Sequence, residues 1–272
     1  MLLSAVIHLQ ALKSGTISGG TGRAVHGLWF RQWSKTDPAV ADALHAVGSD
    51  QPYTLSPLMD LPRAKKGVTA VSKGHEAWLR LTSLDPELTD RLLENWLPAL
   101  PEQATLAGLP WAVSGVSLNA REHPWAGQDS YELVMDRSLA GGEQAAKWPL
   151  RLATPTTFRS GQDGHLPFPL PDTLVGSWLR RWQAYSPLPV QWDIRPLLRE
   201  GLLVSRYRLQ TVPVRHGKRL VIGCVGAITL RANKLDDETR ALVSMLADYA
   251  FYCGSGHKTT QGMGQTRLEK ER

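Results

Sequence analysis

Gly254-Ser-Gly256-His257-Lys258-Thr259-Thr260-Gln-Gly262-Met-Gly264, near the C-terminus, decides how this chain is read. Glycine takes positive φ and lets backbone approach closely, so two glycine pairs around a cation and two hydroxyls describe a loop shaped to a phosphate or a phosphate backbone. Upstream, Leu242, Met245, Leu246, Tyr249 and Ala250 recur at helical spacing, and Asp236, Asp237 and Glu238 suit a first turn. Downstream, Gln265-Thr-Arg-Leu268 reads as a short strand. A Walker A loop follows a strand and opens a helix with Gly-Lys-Ser/Thr, but Lys258 follows His257. A dinucleotide fingerprint needs a third glycine where Thr259 stands. Both aim a helix N-terminus at phosphate, whereas this loop leaves a helix C-terminus. The predicted grip is therefore one of backbone amides and side chains.

The chain has 272 residues, 42% hydrophobic, enough for one large domain or two ordinary ones with real cores. Lys and Arg number 31 against 25 Asp and Glu, a formal net charge of +6, which favours a polyanionic partner. The charges are dispersed, with no basic tail. Cys224 and Cys253 form no CxxC and read as free thiols of a reducing cytosol. The N-terminal Met-Leu-Leu-Ser-Ala-Val-Ile-His-Leu-Gln lacks a basic start and is interrupted by His8, so it reads as a first strand and not a signal peptide. No apolar run approaches the roughly 20 residues of a membrane span. These features predict a cytoplasmic protein without a membrane partner.

The pattern of elements then falls into two similar cycles. After the first strand, Gly19-Gly-Thr-Gly22 is a turn, and a helix follows with Val25, Leu28, Trp29 and Phe30 inward. Asp37 as N-cap and Pro38 at the first helical position start a second helix running to His45, with Gly48 placed to end it. Tyr53–Ser56 and Ala77–Leu81 read as strands, Pro86–Trp96 as a helix, and Leu109–Leu118 as a further strand. Residues 119–146 turn polar and end in Ala-Gly-Gly-Glu-Gln, read as the boundary between domains. Trp148–Phe158 opens the second cycle as a strand. Asp172 caps a helix with Leu174, Trp178, Leu179 and Trp182 on one face, and Val204–Val214 and Leu220–Leu230 form a hairpin around His216-Gly217. The β-α-β-β-α-β order, met twice, predicts an α+β fold of two tandem ferredoxin-like, RRM-like domains, 1–135 and 147–272.

Candidate chemistry is sparse. No HExxH or CxxC occurs, so no metal site and no cofactor are predicted, and no G-x-S-x-G marks a serine nucleophile. His45 ends a short helix, where it either serves as a C-terminal cation or transfers a proton near neutral pH. His26 shares an aromatic stripe with Trp29, Phe30 and Trp33 and reads as packed, or as a second proton carrier. The ten tryptophans can stack on bases, but the spacing of Trp178 and Trp182 is that of core. Arg180 and Arg181 point away from that stripe toward water or a backbone phosphate. Arg63, Lys65 and Lys66 form a small basic cluster.

Several segments together resemble one family. Ala250-Phe-Tyr-Cys-Gly-Ser-Gly-His-Lys-Thr-Thr-Gln-Gly-Met-Gly264 is similar to the glycine-rich loop of the CRISPR-associated repeat endoribonucleases of the RAMP superfamily, the sixth Cas family. His26-Gly-Leu-Trp-Phe30, with Leu44-His-Ala-Val and Tyr53-Thr-Leu-Ser-Pro-Leu58, resembles that family's N-terminal block. Thr154-Pro-Thr-Thr-Phe158 with Leu166-Pro-Phe-Pro-Leu-Pro171 resembles the start of its second domain. The resemblance implies RAMP-type ferredoxin-like domains that bind CRISPR precursor RNA and cut within each repeat without a metal. A 2′-hydroxyl would attack the neighbouring phosphate, leaving a 2′,3′-cyclic phosphate and a 5′-hydroxyl. The family's usual histidine matches His45. Its first-helix tyrosine falls at Phe30, and the lysine some members carry falls at Gln51, which leaves His26 and Tyr53 as catalytic partners and Lys65 or Lys66 as charge stabilisers. Gly254, Gly256, His257, Lys258, Thr259, Thr260, Gly262 and Gly264, with Arg180 and Arg181, would hold the RNA. The loop is common to both branches of RAMP proteins, so a non-catalytic subunit binding guide RNA beside effector-complex partners is the alternative. Homodimerisation stays open.

Overall fold

The computed structural model describes residues 1–48, 50–139, 145–161, 164–190, 194–216 and 219–269. The chain divides into two compact units, Met1–Gln128 with Thr260–Gly262, and Asp129–Thr259 with Met263–Arg272. Among the described residues no helix is long and apolar enough to cross a membrane.

In the first unit, β1 (Leu2–Ala11) and β2 (Gly15–Ser18) precede α1 (Gly22–Thr36) and α2 (Pro38–Ala46). β3 (Tyr53–Leu55), β4 (Val68–Val71) and β5 (Glu76–Ser83) follow, then α3 (Pro86–Arg91) with a π turn at Leu92–Trp96, β6 (Gln103–Leu106), β7 (Leu109–Ser117) and β8 (Gly127–Asp129). The main sheet runs β3-β5-β1-β7-β6 and is antiparallel. β3, β5, β1 and β7 are the second, third, first and fourth strands of the β-α-β-β-α-β cycle, and this interleaved order is that of a ferredoxin-like sheet. Leu3, Ala5, Ile7 and Leu9 alternate onto one face of β1, where Val25, Trp29 and Trp33 of α1 and Trp96 close the core over them.

The second unit repeats the pattern. It holds α4 (Tyr131–Leu139), β9 (Lys147–Thr156), a small hairpin of β10 (Phe158–Ser160) and β11 (Gly164–Leu166), α5 (Pro171–Tyr185), α6 (Arg195–Gly201), β12 (Leu202–His216), β13 (Arg219–Ala232), α7 (Asp237–Cys253) and β14 (Thr266–Leu268). Its sheet runs β12-β13-β9-β14, again second, third, first, fourth. Leu150, Leu152, Ile228 and Leu230 are buried, as are Trp178 and Trp182 of α5 and Leu246, Tyr249 and Ala250 of α7. Every described tryptophan is buried, Trp192 lying outside the described residues, so these indoles serve cores and not exposed base-stacking platforms.

Three local expectations need correction. Gly48 does not end α2, because Val47 turns extended at φ −66°, ψ 129° and Gly48 has no positive φ. Asp172 does not cap α5, because the cap position is Leu170 and the Asp172 carboxylate is held at 2.8 Å by Arg199. The stretch 119–146 is more than linker, since it contains β8 and α4. Tyr131 packs its ring 5.0 Å from Trp182, and Arg137 ties Asp129 and Asp248 to α4. Residues 140–144 and the hairpin tip at Gly217 lie outside the described residues.

The Asp37 cap, by contrast, is as read. Its carboxylate accepts from the Val40 amide at 3.3 Å and also binds Arg91 at 2.7 Å, and that guanidinium holds the Asp37 carboxyl below the usual range. Losing an N-cap costs about 1 kcal/mol. Asp37→Ala is therefore expected to lower the melting temperature by roughly 2–4 °C, while Asp37→Asn, which still caps, retains most of the stability. Equal losses in a thermal melt would assign the role to the Arg91 pair instead.

Candidate nucleic-acid site

Two clusters carry the predicted residues, one in each unit. In the first, α2 ends by presenting His45 exposed, its Nδ1 2.9 Å from the Ala41 carbonyl. A carbonyl only accepts, so Nδ1 carries the proton and Nε2 is left toward solvent. The imidazole lies against Phe30, centroids 3.9 Å apart, and His26 meets the same ring at 4.9 Å. Phe30 thus sits against both imidazoles, and the position lacking a tyrosine hydroxyl serves as their packing surface. Burial, then the neighbouring His45 and Arg23, pull the pKa of His26 below its ordinary value. His26 is therefore neutral at pH 7, a state that can accept a proton.

Tyr53 meets the far side of this cluster, its ring edge-on to Phe30 at 6.5 Å, but it faces inward. It is 1% exposed, its ring stacked on Trp29 at 4.6 Å, and burial pushes its phenol pKa up. The β-strand alternation that sends Tyr53 inward was hidden by the shortness of β3, three residues long and buried on both faces. Lys65 and Lys66 sit in a two-residue turn, closed by paired bonds between Lys65 and Val68, with Lys66 and Gly67 at φ 52° and 78°. No contact joins them to His45 among the described residues. Gln51 reaches back to the Val47 carbonyl at 2.6 Å, near the end of α2.

In the second unit, the loop after α7 is built around a buried cation. Arg181, only 4% exposed, donates to the Cys253 carbonyl at 2.7 Å and to Thr259 Oγ1 at 2.5 Å. It braces the loop from within, which corrects its assignment to a phosphate. Trp178 Nε1 holds Ser255 Oγ at 2.8 Å. Gly254, Gly256 and Gly264 adopt φ 64°, 74° and 73°, and a Cβ at Gly256 or Gly264 would strike the Thr157 or Ser255 carbonyl. These glycines are required by packing. The amides of Gly254, Ser255, Gly256, His257, Met263 and Gly264 all donate within the protein. Those six amides are therefore not free to meet a ligand, and Thr259 is buried and bonded to Arg181.

What faces out is basic. His257, Lys258 and Thr260 are half-buried, with Lys258 in the left-handed region at φ 60° and Gly262 at 92°. His257 stacks on His165 at 5.8 Å. Burial first, then Arg159, Lys258, His165 and Arg180, push the His257 pKa down to about 4. Burial, then Arg159 and Arg219, lower that of Lys258. The charges that lower these two pKa values are all cationic. Arg159, His165 and Arg219 escaped sequence reading because they come from three separate elements. Among the described residues, no three His, Cys, Asp or Glu side chains gather as a metal set. Cys224 and Cys253 are buried free thiols.

Comparison with known proteins sets this geometry in context. The family model described as CRISPR Cas6 N-terminal domain matches residues 1–136, and that of the CRISPR-associated endoribonuclease Cas6 matches residues 150–266. A Cas6 product complex (TTHB231) is 31% identical over 99% of this chain and 100% of that one, with TM-score 0.82. Thermus thermophilus Cas6 (TTHB231) also matches at 29% identity over 99% and 98%, TM-score 0.76. A second Cas6 product complex (TTHA0078) is 28% identical over 99% and 100%, TM-score 0.77. No curated protein sequence matches. The chain belongs to the Cas6 family.

The low pKa of His257 links to stability. Against an ordinary value of 6.5, the folded state binds fewer protons, so the contribution is full above pH 6.5 and is lost as pH falls toward 4. Thermal melts from pH 7.5 to 4.5 should therefore fall less steeply for His257→Asn than for the unaltered protein. Parallel slopes would contradict the burial of a neutral imidazole.

Proposed function

We propose that this Cas6-family chain binds CRISPR precursor RNA and cuts it within each repeat by metal-independent transesterification. The observation that carries the reading is the paired arrangement of His45 and His26 on Phe30, one imidazole exposed with Nε2 outward and the other held neutral. In this reaction a base takes the proton of a ribose 2′-hydroxyl as its oxygen attacks the adjacent phosphorus. The P–O5′ bond breaks, and an acid gives a proton to the departing 5′-oxygen. Charge balances, and the products are a 2′,3′-cyclic phosphate and a 5′-hydroxyl. His26, neutral at pH 7, suits the base, and His45 with its exposed Nε2 suits either transfer.

RNA phosphates would meet Lys258, Arg159, Arg180 and Arg219, with the Thr260 hydroxyl beside Lys258 in sequence, and a polyanion would relieve the repulsion that Arg159 and Arg219 exert on Lys258. Binding should then fall steeply with salt. The glycines shape that surface without touching the ligand. The likeness to Cas6 product complexes supports repeat RNA as the partner.

Single-turnover cleavage of a repeat RNA in EDTA tests the reading. His45→Ala should lower the rate by about 10²–10⁴ with RNA affinity kept, and a 2′-deoxy nucleotide at the scissile position should stop cutting. Cleavage that survives both changes would overturn the mechanism. Tight binding with no cutting by the unaltered protein would favour the non-catalytic RAMP subunit.

A further inference from the structure

The face of the second unit's sheet turned away from α5 and α7 carries a set of arginines that the cutting reaction leaves unused. Cross-strand partners share a face, so the register Arg208–Ala227–Arg151–Arg267 places one row across all four strands. Arg206–Thr229–Pro149 forms the next row, and Leu203–Arg231–Lys147 the one beyond. The alternate residues Leu150, Leu152, Ile228 and Leu230 are buried on the opposite face. Arg151, Arg206 and Arg208 are exposed, and among the described residues none of the three has an ion pair or side-chain hydrogen bond. With Tyr207, Ala227 and Thr229, they line an open cavity of about 550 Å³.

The shape of this face selects its ligand. Ala227 and Thr229 on β13 make a floor of small side chains, with Arg206 and Arg208 rising from β12 on one side and Arg151 from β9 on the other. Those two flanking strands are two strand spacings apart, about 10 Å, room for one sugar–phosphate chain. Tyr207, which also lines the cavity, pairs across the strands with the buried Ile228 and packs its ring on Phe168 at 5.8 Å, so the three arginines dominate the lining. Recognition there would run through phosphates, independent of sequence. Glu269, just past β14, donates its amide to the Pro149 carbonyl at 2.7 Å.

We propose that this channel binds the single-stranded RNA that flanks the repeat segment being cut, holding its backbone along β13 between the arginines of β12 and β9. The inference rests on the RNA-processing reading given above. It adds a second contact region, made by a different face from that of the glycine loop.

The test compares repeat RNA alone with the same RNA carrying a single-stranded or a duplex extension, for the full chain and for Arg151→Gln/Arg206→Gln/Arg208→Gln. The unaltered protein should bind the single-stranded extension about 10-fold tighter than repeat alone, and the triple variant should lose that gain. Three phosphate contacts correspond to a salt slope shallower by about 2. The triple Arg→Lys variant, which keeps the charge, should retain most of the gain, and cutting of repeat RNA alone should be unchanged in all three proteins. An extension that adds no affinity, adds it only as a duplex, or adds it equally to the glutamine variant would overturn the proposal. A flank effect that persists while the repeat stays uncut would instead count against the cutting reading alone.

Discussion

Burying Arg181 obliges the loop after α7 to fold back over it. A guanidinium at 4% exposure needs its hydrogen bonds satisfied, and it finds the Cys253 carbonyl and the Thr259 hydroxyl on either side of the glycine segment. The rest of the loop follows from that grip. Its amides turn inward to Thr157, Pro155, Gly264 and Ser177, and its glycines sit where a Cβ would collide. Only the stretch around Lys258 is pushed toward solvent, beside Arg159, Arg180 and Arg219. The loop thus carries a charged edge, with six of its amides turned inward where a grip by amides and side chains together was expected.

The first unit solves a comparable problem with a short helix. α2 has nine residues, too few to be stable alone, so its start is secured by the Asp37 carboxylate and Arg91 and its inner face by Val40, Ala41 and Leu44. Its last turn then carries His45 outward, while the Ala41 carbonyl fixes which imidazole nitrogen bears the proton. Phe30 presses on both rings. Such support from behind suits the proposed acid–base chemistry, in which the imidazoles would have to stay in place while protons move.

Much of this was legible in the sequence, for physical reasons. Helical periodicity over Asp236–Ala250, the Asp37-Pro38 start and the long apolar strands each have a local cause, and each stands in the structure. The doubled element order gave the two ferredoxin-like sheets. What failed depended on distance. Tyr53 and Arg181 are polar residues turned inward by packing that no local pattern announces. Arg159, His165 and Arg219 converge with Lys258 only once β10, β11 and β13 are in place. α4 and α6 are short helices with weak patterns, fixed by tertiary contacts such as Tyr131 on Trp182. The glycine loop showed where special backbone was required, but the direction of its amides depended on a cation more than seventy residues upstream.

The central claim is that two imidazoles, without a metal, move protons so that the RNA's own 2′-hydroxyl makes the cut. The termini of the fragments report on it most directly. Mass spectrometry of repeat RNA cut in EDTA should find a 2′,3′-cyclic phosphate on the upstream fragment and a 5′-hydroxyl on the downstream one. A 3′-hydroxyl paired with a 5′-phosphate would mean that water attacked the phosphorus, and the account would be wrong.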